Sequence, residues 1–512
     1  MKKQNLQLWV FLIVFWVRGL KGQVNAVESE SKKSSFHDSL ILRRIYDEAL
    51  LRGHSYARLG ELCKGVGARL SGSDQAERGV NWAVGMLKSY QFDSVFLQPV
   101  LVPRWERGEN DAVKLESPYL MKLLKDREAM ADANVKINQA AFPHSPNPIM
   151  ECEAFLAQNL KPKKVIDLSA TALGGSIGGD LLGSLIVVKT RNQLDSLGKL
   201  GLMKGKIVLL AAPMDEAILN TFQAYGGCVN QRVNGANWCS PYGAIGVLVR
   251  SVSNRCDLHP HTGVTHYDTG VKPIPIAAIA TSVADLLVWL VDQDPNLKVG
   301  MHLQCRTLPD RLSANIIAQT NGRKSPNQII SFGGHFDSWD EGEGAHDDGA
   351  GCMHAFEALR ILKAVGYEPK HTLRCVFWIN EENGLRGGME YARLAEMNHE
   401  LHVAALESDR GGFTPQGFGV DSSLLIEVRK FQYLLNQYGF GALEKGGGGA
   451  DIGPLKKPFP SIPFVSFIPD SQRYFDVHHA ETDVFESVNK RELELGCAAV
   501  AMMIYIIDQQ LP

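Results

Sequence analysis

Five clusters of residues in this chain have types and an order that could do chemistry: His335-Phe336-Asp337, Asp347-Asp348, Glu381-Glu382, Asp409 and His478-His479, the last followed by Asp483. Histidines and carboxylates without thiolates suit zinc or a related divalent ion. One carboxylate can bridge two such ions ~3.5–4 Å apart, forming a clamp for an attacking water. A carboxylate outside the ligand set is then needed to take that water's proton. The adjacent pair Glu381-Glu382 can divide those jobs. His335 and Asp337 have a logic of their own, because a ligating imidazole donates its second N–H to a carboxylate, which fixes tautomer and ring angle.

Three of these clusters follow apolar runs that read as strands: QIISFGG before His335, TLRCVFWIN before Glu381 and HVAALES before Asp409. Helical spacing fills the intervals at 349–365 and 386–398, and the terminal run 492–507 reads as an amphipathic helix. Strands alternating with helices argue an α/β fold, a mixed and largely parallel sheet flanked by helices. In such sheets ligands gather beyond the carboxyl ends of the strands. Upstream, 43–92 reads as helices around a turn at Arg69–Glu77, and Val95–Val102 as a strand. The proline-rich stretch FPHSPNP, 142–148, marks a composition shift. Beyond it, short strands between glycine turns suggest an inserted β-rich module. The expected division is 43–150 and 308–512 for the catalytic unit and 151–307 for the insert.

The chain has 512 residues, 45% hydrophobic and 21% charged, with a formal net charge of -3. That composition excludes wholesale disorder and gives no basic footprint for nucleic acid. Lys2 and Lys3 precede an apolar run, Leu8–Val17, too short for the ~20 residues of a membrane span. It suits a secretory signal ending near Ala26, so 1–26 is expected to be a signal peptide and 27–42 a polar, removable pro-region. No later run has membrane length, so a secreted or luminal protein without a membrane anchor is expected. Among nine cysteines, Cys228, Cys239 and Cys256 are close enough for one local bridge. His259, His261 and His266 read as surface histidines. Gly174–Gly178 matches G-x-S-x-G, but a strand rather than a helix follows it, which argues against a serine nucleophile.

Taken together, HFD, GAHDDGAG, NEEN, ESD and HHAETD, in that order, resemble the co-catalytic dizinc aminopeptidase/carboxypeptidase family, peptidase family M28. The resemblance extends to RLSGS near the start, to a protease-associated-like insert and to the glycine loop GGGGADIGPL. It implies a phosphorylase/hydrolase-like zinc exopeptidase with two Zn2+ ions per chain, a homodimer, and residence outside the cell or in the lysosomal, ER or Golgi lumen. The implied substrates are small peptides or dipeptides with unblocked termini, hydrolysed at the peptide bond. An aminopeptidase acting on longer peptides is the alternative, and a non-catalytic receptor-like binder of the same fold is the third reading.

Carried over by position, the resemblance makes Asp347 the bridging ligand. His335 and Asp409 complete one zinc, Glu382 and His479 the other, and Glu381 is the general base. His479 is preferred to His478 because it stands four residues before Asp483, matching the family's His-x-x-x-Asp spacing. Asp337 is the orienting acid, Asp348 and Asp483 support the ligands, and the Asp347–Asp348 peptide is implied to be cis. Arg410 departs from the pattern: a large cation directly after Asp409 alters the pocket rim or binds a substrate carboxylate. His346 and His354 lie near the motifs without belonging to them.

Overall fold

The computed structural model of the protein describes residues 36–109, 111–123 and 165–511. The expected signal peptide, the first part of the expected pro-region and the stretch 142–148 lie outside the described residues. Residues 36–42, expected to be part of that pro-region, open a helix running over 36–52. Leu42 and Ile45 are fully buried there, and the Tyr505 hydroxyl donates to Asp38 at 2.6 Å.

Eight strands form the first sheet, in the order β1 (Ser94–Glu106), β10 (Arg306–Thr320), β12 (His371–Trp378), β11 (Ser325–His335), β13 (Leu401–Glu407), β16 (Phe464–Pro469), β14 (Pro415–Val420) and β15 (Ala442–Lys445). Strands β12, β11, β13 and β16 run parallel, and antiparallel pairs lie to either side, so the sheet is mixed, as expected. All eight residues of β12 and the last seven of β11 are buried. Parallel strands covered on both faces need such continuous apolar runs.

Helices cover both faces. Ala350–Ala364 packs against the terminal helix Lys490–Gln510 on one side, and Arg386–Met397 lies with Trp378 and Phe464 on the other. The terminal helix departs from the amphipathic expectation. It is buried almost all round from Leu493 to Asp508, as a core helix must be. At its crossing with Ala350–Ala364, a Cβ on Gly496 would stand 2.3 Å from His354 Nε2, so only glycine permits the approach.

The second sheet has the order β3 (Ile166–Leu168), β2 (Ala112–Glu116), β9 (Lys298–Leu303), β5 (Gly179–Val188), β6 (Ile207–Leu210), β7 (Gly246–Arg250), β8 (Ile276–Ile279) and β4 (Ala170–Ala172). It takes in β2, which the sequence division had left with the catalytic unit. Among its described residues, the segment expected to be β-rich also contains the helices Arg191–Lys199, Thr221–Cys228, Asn230–Cys239 and Thr281–Gln293. The middle two escape a periodicity search because they bury polar residues, Thr221, Gln231, Arg232 and Asn237, and carry glycines. Cys228 and Cys239 are buried free thiols, so neither takes part in the local bridge expected among Cys228, Cys239 and Cys256. Ser176 of the G-x-S-x-G run is buried, accepts a hydrogen bond from the Ile276 N–H and leads into β5, so no nucleophile elbow exists there.

Candidate metal centre

Three neighbouring parallel strands deliver the site. Strand β11 ends at His335, β12 is followed by Glu381 and Glu382, and β13 by Asp409. Around them lie the loop carrying Asp347 and the loop carrying His478 and His479, all lining or abutting a cleft of about 430 Å³. Asp347 sits between two imidazoles. Its Oδ1 is 3.0 Å from His335 Nε2 and its Oδ2 is 3.3 Å from His479 Nε2. Asp409 Oδ1 approaches His335 Nε2 at 3.6 Å, and Glu382 Oε2 approaches His479 Nε2 at 3.0 Å. The six side chains expected from the sequence to ligate or to act as base therefore meet at one place.

The supporting hydrogen bonds aim these groups. His335 Nδ1 faces the backbone carbonyl of Asp337 at 2.9 Å, which puts a proton on Nδ1 and leaves Nε2, which faces Asp347, as the atom that would ligate a metal. The Asp337 carboxylate, expected to do this, stands 3.9 Å away. It accepts instead from the backbone N–H groups of Asn380 (2.7 Å) and Glu381 (3.1 Å) and so holds the turn that presents the base. The two-residue spacing folds the chain back at His335, bringing the carbonyl nearer than the side chain. Asp348 accepts from the N–H of His335 at 3.1 Å and of Gly351 at 3.0 Å, and its peptide with Asp347 is cis. Asp483 accepts from the N–H of His346 at 2.7 Å and of Asp347 at 3.0 Å. Arg69, fully buried in the RLSGS turn, donates to the carbonyls of Glu343 and Gly344 and pins the loop before Asp347.

His479 and His478 differ in a way that ranks them. Both Nε2 atoms lie near Asp347 Oδ2, at 3.3 and 3.6 Å, and the rings stack with centroids 3.6 Å apart. His479 Nδ1 faces the carbonyl of Thr262 at 3.2 Å, the shorter of its two contacts, the other being Arg232 Nη1 at 3.4 Å. His478 Nδ1 is buried without a hydrogen-bond partner and its Nε2 forms no ion pair with Glu382, although Asp347, His478 and His479 offer ligand atoms within 4.8 Å of one another. His479 also has φ of +63°, a left-handed conformation that costs a non-glycine residue ~1–3 kcal/mol and persists where the surroundings impose it.

Three further histidines near the site, His346, His354 and His261, have structural partners. His346 Nδ1 accepts the N–H of Gly412 at 3.1 Å and its ring stacks on Phe413. His354 Nδ1 meets Ser408 Oγ at 2.9 Å in the core. His261, expected at the surface, is buried and meets the carbonyl of His478 through Nδ1 at 2.7 Å, so it steadies the histidine loop. Sequence reasoning missed the insert's contribution to this cleft: Phe222, Tyr225, Arg232 and His266 all line it. Nothing in the pattern of 221–239 signals that role.

The charges are crowded, and burial sets their proton affinities. Burial pushes the Glu381 carboxyl well above its ordinary value; His335 opposes the shift and the carboxylates of Asp409 and Glu382 add to it. Burial likewise raises Glu382 to about 7 against the pull of His479. Asp347 is buried too, yet the imidazoles of His335 and His479 beside it hold it well below the usual carboxylate range. Asp347 Oδ2 and Glu382 Oε1 accept no hydrogen bond. Buried carboxylate oxygens and imidazole Nε2 atoms converging on one place are the donor set zinc takes. His335, Asp347 and Asp409 offer ligand atoms all within 4.8 Å of one another.

Comparison with known proteins places the chain among peptidases. The model of peptidase family M28 matches residues 315–495, a span containing all five candidate ligands and Glu381. Carboxypeptidase Q of Bos taurus is 30% identical over 481 residues, covering 93% of this chain and 89% of the relative. The crystal structure of a peptidase M28 precursor from Shewanella amazonensis has a TM-score of 0.77 at 28% identity, covering 92% of this chain and 96% of that one. A zinc aminopeptidase from Bacillus subtilis shares the fold, with a TM-score of 0.57 at 19% identity over 88% of this chain and 94% of its own.

Proposed function

The chain belongs to peptidase family M28 and is a zinc metallopeptidase; from that premise we propose that it is a dizinc exopeptidase hydrolysing dipeptides and other small peptides with unblocked termini. His335, Asp347 and Asp409 would hold one ion, and Asp347, Glu382 and His479 the other. The observation that carries this reading is the position of Asp347, with one carboxylate oxygen facing His335 and the other facing His479.

Bound zinc supplies Lewis-acid polarisation of a carbonyl and lowers the pKa of a water. The chain's own residues do the rest. Glu381 is outside the ligand set and lines the cleft; it takes the water's proton and returns it to the leaving amine. Asp337 fixes the backbone of Glu381, so the base cannot drift from the ligands. Tyr225, Phe475 and Tyr474 wall the cleft with aromatic surface, which excludes bulk water and strengthens electrostatic contacts inside.

The basic residues followed by the apolar run Leu8–Val17 support secretion or residence in the lysosomal–ER–Golgi lumen. Among the described residues no helix is long and apolar enough to cross a membrane. The family resemblance supports a homodimer, and it also supports treating the second sheet as a protease-associated-like insert. The test is hydrolysis of free, N-acetylated and C-amidated dipeptides before and after chelation. Chelator-sensitive cleavage of free dipeptides alone supports the proposal. Cleavage of C-amidated and longer peptides at equal rates would favour an aminopeptidase, and no cleavage would favour a binding protein.

A further inference from the structure

A second cleft of about 420 Å³ adjoins the metal centre and shares Phe222 and Asp409 with it. Its walls are the run Gly446–Ala450, Ser466 and Phe467, with Arg410. The guanidinium of Arg410 lies over the Phe222 ring, 4.8 Å from its centroid, and among the described residues it has no ion pair and no hydrogen bond. Two acids share the lining and neither neutralises it. Asp409 faces His335, and Glu407 accepts from the Ile452 N–H at 2.8 Å beneath Gly449, where a Cβ would stand 2.1 Å from the Glu407 carboxyl carbon. An arginine held on an aromatic face, one residue from a metal ligand and without a carboxylate of its own, presents a planar fork of donors that matches a carboxylate.

We propose that Arg410 is a specificity-determining residue that receives a carboxylate of the substrate in this cleft while the scissile bond lies at the metal centre. This rests on the peptidase reading above and extends it to the group by which the substrate is recognised, a carboxylate. The carboxylate comes from an Asp or Glu side chain or from the free main-chain terminus, and three comparisons separate these sources. They are Ala-Glu against Ala-Gln, Glu-Ala against Gln-Ala, and Ala-Gln against its C-terminal amide, each measured as kcat/KM on the zinc-loaded full chain.

The acidic member of at least one pair exceeds its uncharged isostere by ~10-fold or more, because a site built for a charge rejects a partner lacking it. Arg410→Gln brings that ratio to within about twofold, and Arg410→Lys, which keeps the charge and loses the fork, gives an intermediate ratio. Collapse in the first or second pair assigns a side chain; collapse in the third assigns the terminus. Equal ratios in the parent and in Arg410→Gln across all three overturn the proposal. Calorimetric binding of Ala-Glu and Ala-Gln reads the same preference without turnover. Preferential binding without hydrolysis therefore contradicts the peptidase reading and leaves Arg410's assignment standing, whereas hydrolysis with unchanged ratios and no binding preference does the reverse.

Discussion

Asp483 holds Asp347 by its backbone: its two carboxylate oxygens accept the N–H groups of His346 and Asp347 at 2.7 and 3.0 Å. The acid four residues after His479 thus links the loop of one candidate ligand to the loop of another. Asp483→Asn keeps the shape and loses one acceptor, so one buried N–H is left facing an amide. Support for a metal ligand is worth ~10–100-fold in affinity, and zinc affinity falls by that order. Competition with a chromophoric chelator measures it, and unchanged affinity would remove Asp483 from the site's support.

Glu381→Gln keeps the side-chain volume and the Asp337 contacts, which are to the backbone. Zinc content stays at the parent level while kcat falls ~10²–10⁴-fold, the usual contribution of a positioned base. Parent turnover in this variant would give the proton to another group.

The two adjacent histidines separate in a zinc count. His479→Ala loses one ion per chain, because its Nε2 faces both Glu382 and Asp347. His478→Ala retains two. Elemental analysis of dialysed protein decides it, and the reverse pattern would exchange their roles.

Burial raises Glu382 and Asp483 to about 7 in the metal-free fold, above the ordinary carboxylate value of ~4. A raised folded-state pKa contributes stability that is full below the unfolded value and lost as pH rises through the folded one. The metal-free protein therefore loses stability between about pH 4 and pH 7 from these two groups. Zinc needs the deprotonated ligand, so its stabilising effect grows over the same window. Thermal melts with and without zinc from pH 4.5 to 8 test this, and a zinc effect that shrinks with pH would contradict it.

Gly334 lies beneath Asp348, where an added Cβ would stand 2.1 Å from Oδ2 and 2.8 Å from the Ser408 carbonyl. Gly334→Ala destabilises the fold by ~1–3 kcal/mol, as overpacking does. It also lowers zinc affinity by displacing the Asp347–Asp348 loop. A denaturant titration at fixed zinc reports the first effect, and an unchanged midpoint would mean the loop adapts.

The catalytic sheet was legible because its strands announce themselves twice, as continuous apolar runs and by ending in the ligands. His335, Glu381 and Asp409 follow three such runs, and the structure brings those runs side by side. The insert was poorly legible. Its helices 221–239 bury Gln231, Arg232 and Asn237 against the rest of the fold, which removes the apolar stripe a periodicity search needs. Asp337 was placed correctly and given the wrong bond, since residue spacing cannot tell a backbone carbonyl from the side chain of the same residue. Residues 36–42 were grouped with the polar stretch before them, yet Ile41 and Leu42 are buried in the core and Asp38 accepts from the Tyr505 hydroxyl.

Anomalous diffraction at the zinc edge, on crystals of the zinc-loaded protein, tests the central claim most directly. The account predicts two peaks on opposite sides of Asp347, one beside His335 and Asp409 and the other beside Glu382 and His479. A single peak, or density away from Asp347, would contradict it.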